Sequence, residues 1–365
     1  MMHRSELSKF VHKPIFTHLT YVDHVPGFST NLALLEAVEK RLNIENDPYI
    51  ILLRRRLNSA MVGSPEWKKI DQQLSKSLNK KDTFVHKGIR DLCLSARYLL
   101  ETIGTWSTDW FIYTVIKAAK KAANPYDMMV SGWKSAEKKY LLEILDMVNP
   151  SEVSICEDDI LDELSPKVTT LINSLLDQKF DEEARDEAFR GIIFVERRHA
   201  VLALVEILSL HPFSKDVFRV GCLLGQSDGG YRHSLLDITR YMSKQDQKDT
   251  LRDFRSGDKN LLICTAVAEE GIDIQACGSV IRWDPPANMA SWAQSRGRAR
   301  RRRSTFALMF SAGGDGKERV LKWEALEKEM VKLYNDPSRS LVTKADDGDD
   351  DDFEYDPLEF RAESG

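Results

Sequence analysis

Between Leu261 and Arg303 the chain reads L-L-I-C-T-A-V-A-E-E-G-I-D-I, then W-D-P-P, then Q-S-R-G-R-A-R-R-R-R. A hydrophobic run ends on a hydroxyl, Thr265. A Glu-Gly-x-Asp turn follows, with Glu270, Gly271 and Asp273. A short helix then presents Gln294, Arg298 and either Arg300 or Arg301. The guanidinium fork matches phosphate oxygens two at a time, which a lysine ammonium cannot do. Such an array suits one task, gripping a nucleoside triphosphate and a nucleic-acid backbone on the same lobe. A lone arginine run would be an ordinary solvated patch. The ordered pair of motifs, with Pro285-Pro286 between them, is what points to chemistry.

These residues need strands and helices to hold them. Ser165-Pro166 opens a helix with Val168, Leu171 and Leu175 on one face. Ile192–Val195 is a continuous apolar run, the pattern of a buried parallel strand. Val201, Leu204, Val205 and Leu208 follow at helical spacing. Phe218–Leu224, Leu261–Cys264, Val280–Trp283 and Phe306–Phe310 read as further strands, and Ser243 caps a helix closed by Gly257. The alternation predicts an α/β lobe over 165–320, built on a parallel sheet whose ligands sit at the carboxyl ends of the strands. Thr265 and the loop before Gln294 fall at such ends. Residues 321–336 then predict an amphipathic helix.

Residues 25–164 predict an all-α domain. Ser29 or Thr30 caps a helix carrying Leu35, Val38 and Leu42; Asp47-Pro48 starts another; Lys87–Thr102 is a third; Gly104 breaks the chain before a helix running to Ala123. Trp106 and Trp110 read as core. Residues 1–24 read as a connecting segment. Residues 337–365 form an acidic tail expected to be disordered, since Asp346–Asp352 is nearly all Asp.

The net charge of −5 conceals an asymmetry. The segment from Ala345 to Gly365 holds ten acidic residues and one Arg, which leaves the rest of the chain at +4. Six arginines fall between Arg296 and Arg303, a balance compatible with nucleic-acid binding. Cys93, Cys156, Cys222, Cys264 and Cys277 make no C-x-x-C pair or metal spacing, and read as reduced thiols of a cytoplasmic or nuclear protein. No apolar run is long enough to span a membrane.

The run from Leu261 to Arg303 resembles motifs V and VI of superfamily 2 helicases. Its Q-x-R-G-R-A-R form is similar to the branch holding the Dicer helicase regions and the antiviral RNA sensors. Gly191–Glu196 resembles motif IV, Leu7–Pro14 resembles the stretch that follows the first lobe in Dicer-type proteins, and Gly104-x-Trp-x-x-Asp resembles their helical insertion, a pincer on double-stranded RNA. The resemblance implies a RecA-like second lobe behind that insertion, as in a fungal Dicer-like protein. It implies that Thr265, Glu270 and Arg296 face nucleic acid. Gly271 and Asp273 would face the nucleotide, and Gln294 and Arg298, with Arg300 or Arg301, would reach the γ-phosphate as arginine fingers. The implied ligands are double-stranded RNA, ATP and Mg²⁺, in RNA interference or antiviral silencing.

A Gly-Lys-Ser/Thr phosphate loop and an Asp-Glu magnesium pair are missing from this sequence. Gly313–Glu318 places Glu where Ser/Thr should stand, and Asp181-Glu182-Glu183-Ala184 reads as a solvent-facing charged stretch. The expectation is a helicase half that is inactive alone and needs a first lobe, or a full-length Dicer-like protein, as partner. The alternative is a catalytically inactive module that binds or regulates on double-stranded RNA.

Overall fold

The computed structural model describes residues 14–123, 134–224, 235, 244–265, 277–286, 288–314 and 316–334. Six strands form one sheet: β1 Ile15–Tyr21, β2 Gly191–Phe194, β3 Val220–Leu223, β4 Leu261–Cys264, β5 Ser279–Arg282 and β6 Thr305–Ser311. Their order is β1-β6-β5-β2-β4-β3, and every neighbouring pair is parallel. The uninterrupted apolar run of β4 and the Gly-Ile-Ile-Phe of β2 are buried along their whole length, as strands covered on both faces must be.

Residues 15–21 correct the expectation of a bare connecting segment. They form the edge strand, in register Ile15↔Thr305 through Tyr21↔Ser311. Most residues of β1 are only half-buried, so the strand carries a weak apolar signal and its partner lies near the far end of the chain.

Between β1 and β2 the described elements are helices: α1 Thr30–Arg41, α2 Pro48–Ser59, α3 Pro65–Lys80, α4 Phe84–Thr102, α5 Thr105–Ala123, α6 Ser135–Val148, α7 Glu157–Asp162 and α8 Pro166–Glu183. The caps are those the sequence names. Ser29 Oγ accepts the Leu32 N–H, Asp47 Oδ1 accepts the Tyr49 N–H ahead of Pro48, and Ser165 precedes Pro166. Gly104 has φ +132°, and a Cβ there would strike the Glu163 carbonyl, which is why the chain can break between α4 and α5 only at glycine. Trp106 is buried, stacks on Trp110 and donates its indole N–H to the Ser154 carbonyl at 2.8 Å, so it is core.

One apolar core runs from the helices into the sheet. It joins Leu35, Leu92 and Phe111 to Leu204, Ile263, Ile281 and Met309. Helix α9, Arg198–Leu210, packs on α4 and α5 as well as on β3 and β4. Helix α10, Lys244–Ser256, lies against β3 and is closed by Gly257; the Ser243 expected to cap it lies outside the described residues. Helix α11, Met289–Arg296, links β5 to β6. Gly316–Tyr334 forms α12, in a second compact unit that begins at Asp315. Its start precedes the expected 321. The acidic stretch after 334 lies outside the described residues.

Candidate functional site

Parallel strands put all their carboxyl ends on one edge of the sheet. Thr265 follows β4 on that edge, buried, with its N–H on the Leu223 carbonyl at 3.1 Å. Glu270, Gly271 and Asp273 lie outside the described residues. Helix α11 starts near the same edge, with Asn288 Oδ1 accepting the Ser291 N–H at 2.9 Å. Eight residues carry it about 12 Å toward the opposite edge. The arginines therefore emerge beside the amino ends of β5 and β6. The Arg298 carbonyl accepts the Cys277 N–H at 3.2 Å, and Ala299 forms an isolated parallel bridge with Cys277. The structure thus brings Gln294 and Arg296–Arg301 together and sets Thr265 at the other end of the sheet.

The arginines differ in what holds them. Gln294, Arg296 and Arg298 are half-buried. Arg300 is exposed, with its Nε donating to the Gly297 carbonyl at 2.6 Å. Arg301 reaches back to α8: its Nη1 donates to the Ala188 carbonyl at 2.5 Å and pairs with Glu182 Oε2 at 3.4 Å. Glu182 was expected on a solvent-facing stretch. It is 3% exposed. Burial pushes its carboxyl up to about 7, against the pull of Arg301, the Arg190 N–H and Arg185. Gly278 faces this carboxylate so closely that a Cβ there would collide with it. Burial likewise pushes the Cys277 thiol up to about 12, so it is no nucleophile despite the arginines around it.

A second polar cluster sits at the carboxyl end of β5, where sequence reading placed only a landmark. Asp284 accepts the Tyr98 hydroxyl on Oδ1 at 3.1 Å and the Glu196 N–H on Oδ2 at 2.8 Å. Lys167 Nζ lies 3.9 Å from Oδ1 and 4.1 Å from the Trp283 ring centre. Burial lowers the Lys167 ammonium to about 8, with Asp284 opposing the fall. Arg282, 6% exposed, donates through Nε to the Asp284 carbonyl at 3.2 Å. Its Nη1 reaches Ser291 Oγ at 2.9 Å and Ser295 Oγ at 3.2 Å. The only sequence signal for this cluster is that an apolar strand ends in charged residues, Arg282 and Asp284.

Comparison with known proteins matches residues 167–303 to the helicase conserved C-terminal domain. Dicer-like protein 2 of Neosartorya fischeri is 37% identical over 346 residues, which is 93% of this chain. Dicer-like protein 2 of Cryphonectria parasitica is 30% identical over 370 residues, 99% of this chain. This chain carries a helicase C-terminal domain of the Dicer-like kind. It spans 23% of the length of each of those two relatives. Among solved structures, the helicase domain of Pyrococcus furiosus Hef aligns over 87% of this chain and 59% of its own, with 18% identity and a TM-score of 0.39.

Proposed function

We propose that this chain is the part of a Dicer-type RNA helicase that holds the backbone of double-stranded RNA and brings arginines to the γ-phosphate of an ATP bound by another lobe. The observation that carries the reading is the clustering of Gln294, Arg296, Arg298 and Arg300 around the end of α11, within a matched helicase C-terminal domain. Arg298 is the main candidate finger. Of the two candidates for the second, Arg301 is already engaged by Glu182 and Ala188 while Arg300 is exposed, which favours Arg300.

Guanidinium groups fit a phosphate that gains charge in transfer, and in related phosphoryl transfers such a finger contributes on the order of 10³–10⁵ in rate. Among the described residues no group of three His, Cys, Asp or Glu is placed to hold a metal. What the chain itself contributes is orientation and positive charge. Thr265 at the opposite edge would meet the RNA backbone. Such contacts read phosphate and 2′-hydroxyl and not sequence. The setting would be RNA silencing, in the cytoplasm or nucleus.

The test is hydrolysis by the chain combined with a first lobe that carries the phosphate loop. Arg298→Ala should cut RNA-stimulated turnover by about 10³ or more. Unchanged turnover overturns the finger assignment. The second reading is an RNA-binding module without turnover, carried by the same arginine cluster at the end of α11. It predicts duplex-RNA binding that needs no nucleotide.

A further inference from the structure

We propose that Asp284 is the joint of a hydrogen-bonded relay through which the helical layer sets the pose of α11, making Tyr98 and Lys167 positioning residues for the Gln294–Arg300 array. The value of that pose rests on the function proposed above; the relay itself rests on geometry.

Each link is a hydrogen bond except that of Lys167, an ion pair at 3.9 Å. Tyr98 on α4 and Lys167 on α8 approach the same oxygen of Asp284. The other oxygen takes the Glu196 N–H, which pins the carboxylate to the end of β2. The Asp284 carbonyl holds Arg282 Nε, which fixes the plane of the guanidinium. That plane delivers Nη1 to Ser291 and Ser295, one turn apart on α11. Ser295 Oγ in turn donates to the Ser291 carbonyl at 2.7 Å. Arg282, Asp284 and Lys167 are each at least nine-tenths buried. Water is therefore a poor substitute for any lost partner, and a planar fork cannot tilt without losing several bonds together. Arg197 stacks over the Tyr98 ring at 4.8 Å and His199 meets its edge at 5.3 Å, so the phenol has little freedom to swing away.

The experiment is amide hydrogen exchange on the full chain, comparing wild type, Tyr98→Phe, Ser295→Ala and the double variant. Tyr98→Phe should speed exchange in 289–299 by about tenfold while β2 and β4 keep their protection. The double variant should exchange in α11 like Ser295→Ala alone, because both cut the same relay. Lys167→Met serves as a second break and should show the same local pattern. Unchanged exchange in α11, or a uniform rise that follows global destabilisation, overturns the relay. In parallel, Arg296→Ala is measured for affinity to a blunt RNA duplex of about 20 base pairs. Wild-type affinity there would count against the function proposed above, while the exchange pattern would still decide the relay.

Discussion

The Tyr98 hydroxyl lies 3.1 Å from Asp284 Oδ1, a hydrogen bond between residues 186 positions apart. It ties the last turns of a long helix to the end of a central strand, beside a buried lysine. Helices and sheet are therefore joined by polar contacts as well as by their shared apolar core.

Lys167 makes stability depend on alkaline pH. Its folded value, about 8, lies below the ordinary 10.5. A lowered cation contributes stability that is fully present above 10.5 and lost as pH falls through about 8. Stability should rise between those values by up to about 3 kcal/mol. Lys167→Met should remove that rise, read from urea midpoints at pH 8 and 10.

Glu182 acts in the opposite sense. Its carboxyl is raised from 4.5 to about 7, so its contribution is complete below pH 4.5 and lost as pH rises through 7. Glu182→Gln should lose less stability than wild type between pH 5 and 7.5. Equal losses in thermal melts would mean that the carboxyl is not held as described.

Gly278→Ala tests the same contact sterically. The new methyl would displace the Glu182 carboxylate and with it Arg301, costing about 1–3 kcal/mol. Pairing the change with Glu182→Ala should recover most of that loss.

Salt titration addresses the RNA surface. Each phosphate contact contributes about one unit to the slope of log affinity against log salt. Removing Arg296, the arginine assigned to the RNA backbone, should flatten that slope by about one for duplex RNA. An unchanged slope would place the backbone elsewhere.

Leu204→Ala probes the shared core. The residue is fully buried on α9, between the helical layer and the sheet. Truncation should cost about 2–5 kcal/mol. Helical and tryptophan signals should still melt together, and a split into two transitions would mean that the layers fold independently.

Much of this was legible from local chemistry. The caps Ser29, Asp47 and Ser165, the buried runs of β2 and β4, and the core role of Trp106 follow from residue type and spacing. What escaped depends on partners distant in sequence. Strand β1 looks like a connection until β6 pairs with it. Glu182 looks like surface charge until Arg301 arrives 119 residues later. Asp284 looks like a turn residue until Tyr98 and Lys167 converge on it. No window of sequence contains those encounters.

The pairing of β1 with β6 also imposes an order on biosynthesis. Tyr21 leaves the ribosome 284 residues before Thr305. At roughly 5–20 residues per second, that gap lasts about 15–60 s. Throughout it a half-apolar strand waits for its only neighbour in the sheet. The helical layer and strands β2 to β5 can settle first, so closure of that edge is set by the arrival of β6 and not by any step in the helices. A nascent chain stalled after α11 would carry an unpaired, aggregation-prone Ile15–Tyr21 segment, and chaperone contact would be concentrated there.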